Sequence, residues 1–483
     1  MVKGLCNIFL FSNFSLILFQ KLLKLKKLEI KQVFLALFCI SFIFSLFLWI
    51  GFDSSTPKFQ FVSEGWWLPY KNVNFILGLD GISLFFILLT TLLFPLCCLW
   101  IWPFIGVNLK FYLYSFSVLE SILILAFSSV DLIFFYVFFE IVLIPTFIII
   151  GMLGSRDRKV RAGYLFFFYT LFGSLLMLLG ICYIYNVVGS SIYEAIHGFT
   201  LSTYEQKWIW VSFFFSFSSK VPLIPLHIWL PEAHVEAPTT GSVLLAGLLL
   251  KLGSYGIARY CIGLFPDACL FFTPSVFTLG LLGVIYTSLT AIRQIDFKRL
   301  IAYTSIAHMN LVVLGLFTCN TLGIHSSLVQ SLSHGFVSSA LFLSIGTMYD
   351  RGQSRIIRNY SGLSHTMPIF VSVFLFFTLA NLGLPGTSSF VGEFLLLTSI
   401  FLVSPYTCFF SSSCLILGGG YSLWLFNRVS YGNSKLIFFD VSKRELLCVL
   451  PLIFSTFVFG IQTKILLDPI YCTVYNLCEY LIL

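Results

Sequence analysis

Runs of about twenty apolar residues recur along this chain and constrain its fold more than any other feature. A helix of that length crosses the hydrocarbon core of a bilayer, and inside lipid its backbone groups pair with one another. Hydrophobic residues make up 58% of the 483 residues and charged residues 10%, whereas soluble domains contain about 45–50% and about 25%. Folding in water would leave much of this apolar surface exposed. We therefore predict an all-α polytopic membrane protein.

About fourteen runs are predicted as membrane-spanning segments, and they set the segment numbers used below. They centre on Leu5–Phe19, Val33–Ile50, Ile82–Leu99, Phe111–Val130, Leu132–Ile150, Leu165–Ile184, Trp208–Leu230, Val243–Ile257, Leu270–Leu289, Leu300–Phe317, Ser327–Met348, Pro368–Val403, Cys414–Phe426 and Leu446–Phe459. Segment 1 is expected to be retained, because its cluster of lysines follows the apolar run, whereas in a cleaved signal peptide the cluster precedes it.

The basic residues are distributed unevenly among the connections. Twenty of the 28 Lys and Arg follow odd-numbered segments, and four follow even-numbered ones. Those four are Lys58, Lys71, Lys207 and Arg259. Basic connections stay on the negative side of an energised membrane, so the odd-numbered connections, including Ser155–Gly163, are predicted to face that side. The start of Glu232–Glu236 is placed on the opposite face. The formal charge of +8 is attributed to this topology, and no nucleic-acid partner is expected.

Segments 7 and 12 each contain residues that interrupt a helix. Segment 7 carries Lys220-Val221-Pro222 and then Pro225, and segment 12 carries Gly383-Leu384-Pro385-Gly386. Proline removes a backbone donor and glycine loosens the backbone. A pair of broken helices, one in each half of the chain, indicates a transporter built from two repeats. The alternative for either segment alone is an ordinary proline kink.

Several ionisable residues lie inside these apolar segments. The main candidates for function are Glu140, Lys220, Lys251, His334 and Glu393, and the secondary candidates are His227, His308 and Glu120. A charge near the bilayer centre costs at least about 2.5 kcal/mol, so such residues are functional candidates. The alternative is that each one joins two helices through a hydrogen bond. Asp131, which begins segment 5, is interpreted as a helix N-cap.

Proton carriage needs groups that exist in both charge states near neutral pH, and burial moves both lysines and carboxyl groups toward that range. Opposite charges about 4 Å apart attract by about 4 kcal/mol at an effective dielectric constant near 20. Making and breaking a Glu140–Lys220 pair is therefore predicted to load and unload the lysine.

The cysteines and glycines indicate neither a redox centre nor a nucleotide site. The thirteen Cys contain no C-x-x-C pair, which disfavours an iron–sulfur or zinc framework. No glycine-rich turn joins a strand to a helix, as a dinucleotide site requires.

Five stretches resemble the antiporter-like membrane subunits of respiratory complex I, the mitochondrial NADH–ubiquinone oxidoreductase. They are FFEIVLIPTFIIIGMLGSRDRKVRAGYLFF (138–167), KVPLIPLHIWLPEAHVEAPTTGSVLLAGLLLKLGSYG (220–256), RQIDFKRLIAYTSIAHMNLV (293–312), QSLSHGFVSSALF (330–342) and LANLGLPGTSSFVGEF (379–394). The resemblance covers nearly the whole chain and is weakest before about residue 30 and after about residue 430.

The resemblance implies fourteen helices with two inverted five-helix repeats, segments 4–8 and 9–13. We accordingly expect N-terminal helices in 1–110, the first repeat in 111–260, the second repeat in 261–430 and a C-terminal helix and tail in 431–483. The family's proton path would fall on the five main candidates. His227, Glu232, His234 and Glu236 belong to the same signature, with a role in water access or packing. Segment 10 carries His308 and no carboxylate to match Glu140.

The resemblance also implies the molecular setting. No cofactor is expected in this chain, and NADH, FMN, iron–sulfur clusters and ubiquinone are expected in partner subunits. The expected partners are other membrane-arm subunits, including adjacent antiporter-like subunits, together with lipids. The expected location is the mitochondrial inner membrane, with a bacterial plasma membrane or a plastid as alternatives. Competing functions are a subunit of a multi-subunit cation/proton antiporter and a purely structural membrane scaffold.

Overall fold

The computed structural model describes residues 27–68, 73–104, 109–154, 156–433 and 438–482. Predicted segment 1, Leu5–Phe19, lies outside them. Within these ranges, eleven helices are long and apolar enough to cross a membrane. These eleven correspond to segments 2–6, 8–11, 13 and 14, and segments 7 and 12 each consist of two shorter helices. The prediction of a helical polytopic membrane protein is confirmed.

The helices follow the predicted segments closely. Segments 2 to 6 are Lys27–Ile50, Gly81–Trp100, Leu109–Ser128, Leu132–Ile141 with Leu143–Leu153, and Lys159–Val188. Segments 7 to 11 are Thr203–Lys220 with Trp229–Glu236, Thr239–Ile262, Pro266–Ile292, Phe297–Leu316 and Thr321–Gly352. Segments 12 to 14 are Pro368–Asn381 with Ser388–Val403, Pro405–Ser430 and Lys443–Ile461, and a last helix spans Lys464–Ile482.

Short polar side chains set where several helices begin. Asp131 accepts hydrogen bonds from the backbone amides of Ile133 and Phe134 at 2.8 and 3.4 Å, so its interpretation as an N-cap is confirmed. Its other carboxylate oxygen accepts a hydrogen bond from Ser191 at 2.7 Å. Asp80 caps segment 3 in the same way, through the amide of Ser83 at 3.0 Å. These caps satisfy amides that have no partner within the helix.

A β-hairpin, which the helical pattern did not predict, occupies the connection between segments 2 and 3. Strands β1, Gln60–Leu68, and β2, Val73–Leu79, pair antiparallel. The backbone of Ile76 accepts a hydrogen bond from the amide of Val130 at 3.1 Å. The hairpin is thereby tied to the start of segment 5.

Segment 7 is broken where its prolines predict. Its first helix ends at Lys220, and the chain becomes helical again at Trp229. Pro222 and Pro225 lie between them and supply no backbone N–H to a helix. The break therefore leaves a buried lysine as the last residue of the first helix.

Segment 12 is broken by backbone conformation as well as by proline. Gly383 and Gly386 have φ angles of 71° and 95°, which L side chains adopt with strain. They lie between the two helices of the segment, on either side of Pro385. Both predicted breaks are thus present.

The chain divides into two compact units. Of the described residues, the first contains those within 27–220, 255–269 and 468–482, and the second contains those within 221–254 and 270–467. Each unit is discontinuous in sequence. Glu140 and Lys220 belong to the first unit, whereas Lys251, His334 and Glu393 belong to the second.

Candidate functional site

The first unit buries Lys220 at the break of segment 7. The lysine side chain is 3% exposed, and its Nζ donates a hydrogen bond to the carbonyl oxygen of Phe139 at 2.6 Å. The same nitrogen lies 3.2 Å from the centroid of the Phe139 ring. A carbonyl dipole and an aromatic face therefore hold the ammonium group.

Glu140 follows Phe139 in segment 5 but does not form the predicted close ion pair. The carboxyl oxygens of Glu140 do not lie within 4.0 Å of the Lys220 Nζ in the described structure. The two groups are nevertheless electrostatic neighbours, and Ser174 of segment 6 lies beside the carboxyl group. Segment 5 changes helix at Val142, between Glu140 and Pro145. The carboxyl group therefore lies close enough to Lys220 for an electrostatic interaction without direct contact.

Segment 8 holds Lys251 between two π-helical stretches. These are Leu245–Leu249 and Ile257–Ile262, with α-helix at Leu250–Gly256. Lys251 has no exposed surface, and its Nζ lies 2.6 Å from the carbonyl oxygen of Ala246 and 2.8 Å from Nδ1 of His334. Such π-helical turns occur often at functional sites.

A row of titratable side chains continues from Lys251 across three segments. The rings of His334 and His308 have centroids 5.8 Å apart. Nδ1 of His308 lies 3.1 Å from Oε1 of Glu393. We call Lys251, His334, His308 and Glu393 the relay row. All four side chains are at least nine-tenths buried, which is expensive unless the charges interact.

Glu393 occupies a pocket made by the broken segment 12. Gln330 donates a hydrogen bond from Nε2 to Oε1 of Glu393 at 3.0 Å. A Cβ atom at Gly383 would lie 2.6 Å from Oε2 of Glu393, so this glycine leaves space for the carboxylate. Segment 10 itself has no carboxylate, and segment 12 supplies one to His308.

Two secondary candidates lie apart from these contacts. Glu120 is 1% exposed and accepts a hydrogen bond from the Ser41 hydroxyl at 2.6 Å, which joins segments 4 and 2. His227 follows the break of segment 7, and its ring centroid lies 5.9 Å from that of Tyr286. Of the three secondary candidates, only His308 lies in the relay row.

Sequence reasoning missed two buried cations of the second unit. Lys298 is 2% exposed and donates to the carbonyl oxygen of Ala237 at 2.7 Å. Arg355 is 3% exposed and donates to the carbonyl oxygen of Val235. Both were counted only as basic residues of odd-numbered connections. Burial of Lys298 has one signal in the sequence, which is its position at the start of the apolar run of segment 10.

The same contacts correct the placement of Glu232–Glu236. Arg299 forms an ion pair with Glu232, and Arg355 reaches Val235. These two arginines follow segments 9 and 11, so Glu232–Glu236 lies with odd-numbered connections. Its placement on the opposite face was wrong, because the broken segment 7 still counts as one crossing.

The described residues contain no group of three or more His, Cys, Asp or Glu side chains that could hold a metal ion. The contacts among the buried lysine, imidazole and carboxyl groups are of the kind that proton transfer uses.

Comparisons with known proteins point to one family. Residues 129–418 match the family described as NADH:quinone oxidoreductase/Mrp antiporter, TM. Over 445 residues the chain is 52% identical to NADH-ubiquinone oxidoreductase chain 4 of Marchantia polymorpha, and the match covers 91% of this chain and 90% of that protein.

Two solved structures share the fold. A chain of respiratory complex I from Thermus thermophilus with bound NADH matches with a TM-score of 0.91 and 27% identity, over 100% of both chains. A chain of the Mrp complex from Dietzia sp. DQ12-45-1b matches with a TM-score of 0.88 and 19% identity, over 99% of this chain and 98% of that one. The second likeness concerns the fold alone.

Proposed function

The chain belongs to the NADH:quinone oxidoreductase/Mrp antiporter family, as a relative of NADH-ubiquinone oxidoreductase chain 4, and we propose that its buried lysine, histidine and glutamate side chains carry protons across the membrane. It is a multi-pass membrane subunit of NADH:ubiquinone oxidoreductase and takes part in proton translocation by that complex. The proposal concerns which residues of the chain do so.

The proposed setting is the mitochondrial inner membrane, as the names of the chain 4 relatives suggest. Other subunits of the complex carry NADH, FMN, the iron–sulfur clusters and ubiquinone. Adjacent antiporter-like subunits and lipids cover the apolar outer surface. The chain acts without a redox centre of its own, and it couples to quinone reduction through its neighbours.

The relay row is the observation that carries the proposal. Lys251 contacts His334, and His308 contacts Glu393, at 2.8 and 3.1 Å. The step between the two imidazoles spans 5.8 Å between ring centroids, which a ring rotation or one water molecule can bridge. A proton on one member raises the free energy of protonating its neighbour, because like charges repel strongly at low dielectric. A proton that enters the row therefore favours transfer of the proton ahead of it to the next member.

Lys220 and Glu140 form the proposed control point of the first unit. The Phe139 carbonyl group and ring support the ammonium group only weakly compared with a close carboxylate, so we assign this arrangement to the open state of the pair. Movement of Glu140 toward Lys220 would hold the lysine charged, and its withdrawal would favour release of the proton.

Lys220→Ala tests this function directly. The variant removes a titrating group, so the complex should assemble while proton translocation per quinone reduced falls severalfold. The measurement is proton uptake by vesicles containing the reconstituted complex. Lys443→Ala, which removes an exposed lysine from the start of segment 14, is the matched control and should pump normally.

The paired variant decides whether Glu140 acts through Lys220. Glu140→Gln should give a partial loss, and the double variant should lose little more than Lys220→Ala alone, because both changes interrupt one unit. Additive losses, or full pumping by Lys220→Ala, would contradict the proposal.

A cation/proton antiporter subunit is the alternative function. The likeness to the Mrp complex at 19% identity extends to the fold, whereas the 52% identity with chain 4 favours complex I. Co-purification with NADH-oxidising subunits distinguishes the two functions.

A further inference from the structure

A cavity of about 450 Å³ opens in the first unit beside the connections that follow segments 2 and 6. Lys58 and Glu194 are exposed at its rim, and Asp80, Tyr193 and Arg259 are buried at its floor. The connections after even-numbered segments carry few basic residues, which assigns them to the positive side of the membrane. The cavity therefore gives water on that side access to the first unit.

A buried ion pair forms part of the cavity floor. Arg259, which the sequence suggested was a basic residue of a connection, lies within the second π-helical stretch of segment 8 and is 5% exposed. It forms an ion pair with Asp80, the N-cap of segment 3. Its guanidinium carbon lies 5.3 and 5.7 Å from the ring centroids of Tyr193 and Tyr255. The pair thus fixes segment 8 against segment 3.

Closely packed rings join this floor to Lys220. We call Phe135, Phe139, Phe217, Tyr255 and Tyr260 the aromatic layer. The ring centroids of Tyr260 and Phe135 lie 4.4 Å apart, those of Phe135 and Phe139 5.6 Å, and those of Phe139 and Phe217 5.7 Å. All five side chains are at most 1% exposed.

The directions of the helices place the aromatic layer on the positive side of Lys220. Segment 7 enters from the positive side, and Phe217 comes one turn before Lys220. Segment 5 also enters from that side, and Phe135 comes one turn before Phe139. Segment 8 runs the other way, so Tyr255 precedes Arg259 and lies deeper. On one side of the layer Lys220 contacts the ring of Phe139, and on the other side Arg259 contacts the ring of Tyr255.

We propose that the aromatic layer is a proton seal between the positive-side cavity and Lys220, and that Asp80 and Arg259 are positioning residues that hold it closed. This inference rests on the proposed function of Lys220 as a proton carrier. Protons on the positive side are driven back across the membrane by the gradient that the complex builds. The rings exclude water from that route, and Gly256 lets segment 8 pack directly against the Phe217 ring, which a Cβ atom would overlap.

The first test opens the aromatic layer in the whole complex reconstituted into vesicles. Phe217→Ala should make an imposed proton gradient collapse several times faster in the absence of NADH, and should weaken the stimulation of turnover by an uncoupler. Phe94→Ala, an equal truncation of a fully buried ring in segment 3 outside the layer, should keep the wild-type leak. If Phe217→Ala assembles poorly, Phe217→Leu removes the ring while keeping apolar volume.

The second test addresses the ion pair. Asp80→Asn should produce a similar leak in assembled complex, and Asp80→Glu should restore tightness because it returns the carboxylate. A merely structural pair predicts less assembled complex but no leak per assembled complex, and that result would overturn the positioning role.

A double variant separates the seal from the function of Lys220. Adding Lys220→Ala to Phe217→Ala should abolish the extra leak, because the carrier behind the aromatic layer is gone. A leak that persists, or equal leaks for Phe217→Ala and Phe94→Ala, would overturn the seal. Full pumping by Lys220→Ala alone would instead contradict the proposed function.

Discussion

Glu393 shows how much of a residue's role depends on its neighbours. Its carboxylate contacts His308, accepts a hydrogen bond from Gln330, and occupies space that Gly383 leaves open. An acid in an apolar segment is conspicuous in the sequence, so Glu393 could be predicted as a candidate. Its pairing with His308 could not be, because it depends on how segments 10 and 12 pack.

We expect Glu393→Gln to lose most proton translocation and Glu393→Asp to retain part of it. Gln preserves the shape and can accept the hydrogen bond from Gln330 but cannot titrate, whereas Asp titrates on a shorter side chain. The measurement is protons moved per quinone reduced in vesicles.

Glu120→Gln is the matched control for Glu393→Gln, because it makes the same change at another buried, hydrogen-bonded carboxyl group. The amide oxygen can still accept from Ser41, so pumping should stay near the wild-type level. Equal performance of the Gln variants at positions 393 and 120 would mean that Glu393 only joins helices.

At the scale of elements, the breaks in segments 7 and 12 place non-helical backbone beside Lys220 and Glu393. The prolines and glycines made both breaks predictable. The π-helical stretches around Lys251 were not predictable, because Leu245–Leu249 and Ile257–Ile262 read as ordinary apolar helix. The β-hairpin was not predictable from apolar length either, because its strands of 9 and 7 residues are too short to span a membrane as helices.

Substitutions at the two positive-φ glycines should separate strain from function. Gly383→Ala and Gly386→Ala each place a side chain in the left-handed region, with a strain of about 1–2 kcal/mol. At Gly383 the new Cβ would also press on Glu393, whereas nothing lies within 4 Å of one at Gly386. We expect both variants to lower thermal stability of the complex and only Gly383→Ala to lower pumping per assembled complex. Equal pumping by the two variants would contradict this coupling.

At the scale of the whole molecule, the alternation of basic connections predicts the direction of each described segment. It survives the correction of Glu232–Glu236, which lies with the connections after segments 9 and 11. Arg259 showed the limit of counting charges, because a residue near the end of a segment can be buried in an ion pair. The positions of the segments could thus be predicted from apolar length, whereas burial of individual cations required the tertiary structure.

Cysteine labelling from each side of the membrane checks this orientation. Arg158→Cys, in the exposed connection after segment 5, should react with an impermeant reagent added on the negative side. Glu194→Cys, in the exposed connection after segment 6, should react only from the positive side. The signal is compared with the wild-type chain, whose Cys39 and Cys182 are exposed. Reaction of both positions from one side would refute the assigned topology.

The two π-helical stretches also determine how segment 8 would tolerate a change in length. A π turn holds one residue more than an α turn, so deleting one residue from Leu245–Leu249 would let that turn close as ordinary α-helix. The backbone would be satisfied, and the residues on either side of the deletion would keep nearly the same facing, because one full turn replaces another. The same deletion within an α-helical stretch would rotate the residues on one side by about 100° relative to those on the other. The wide turn is therefore a place where segment 8 could lose one residue and still keep Lys251 facing His334.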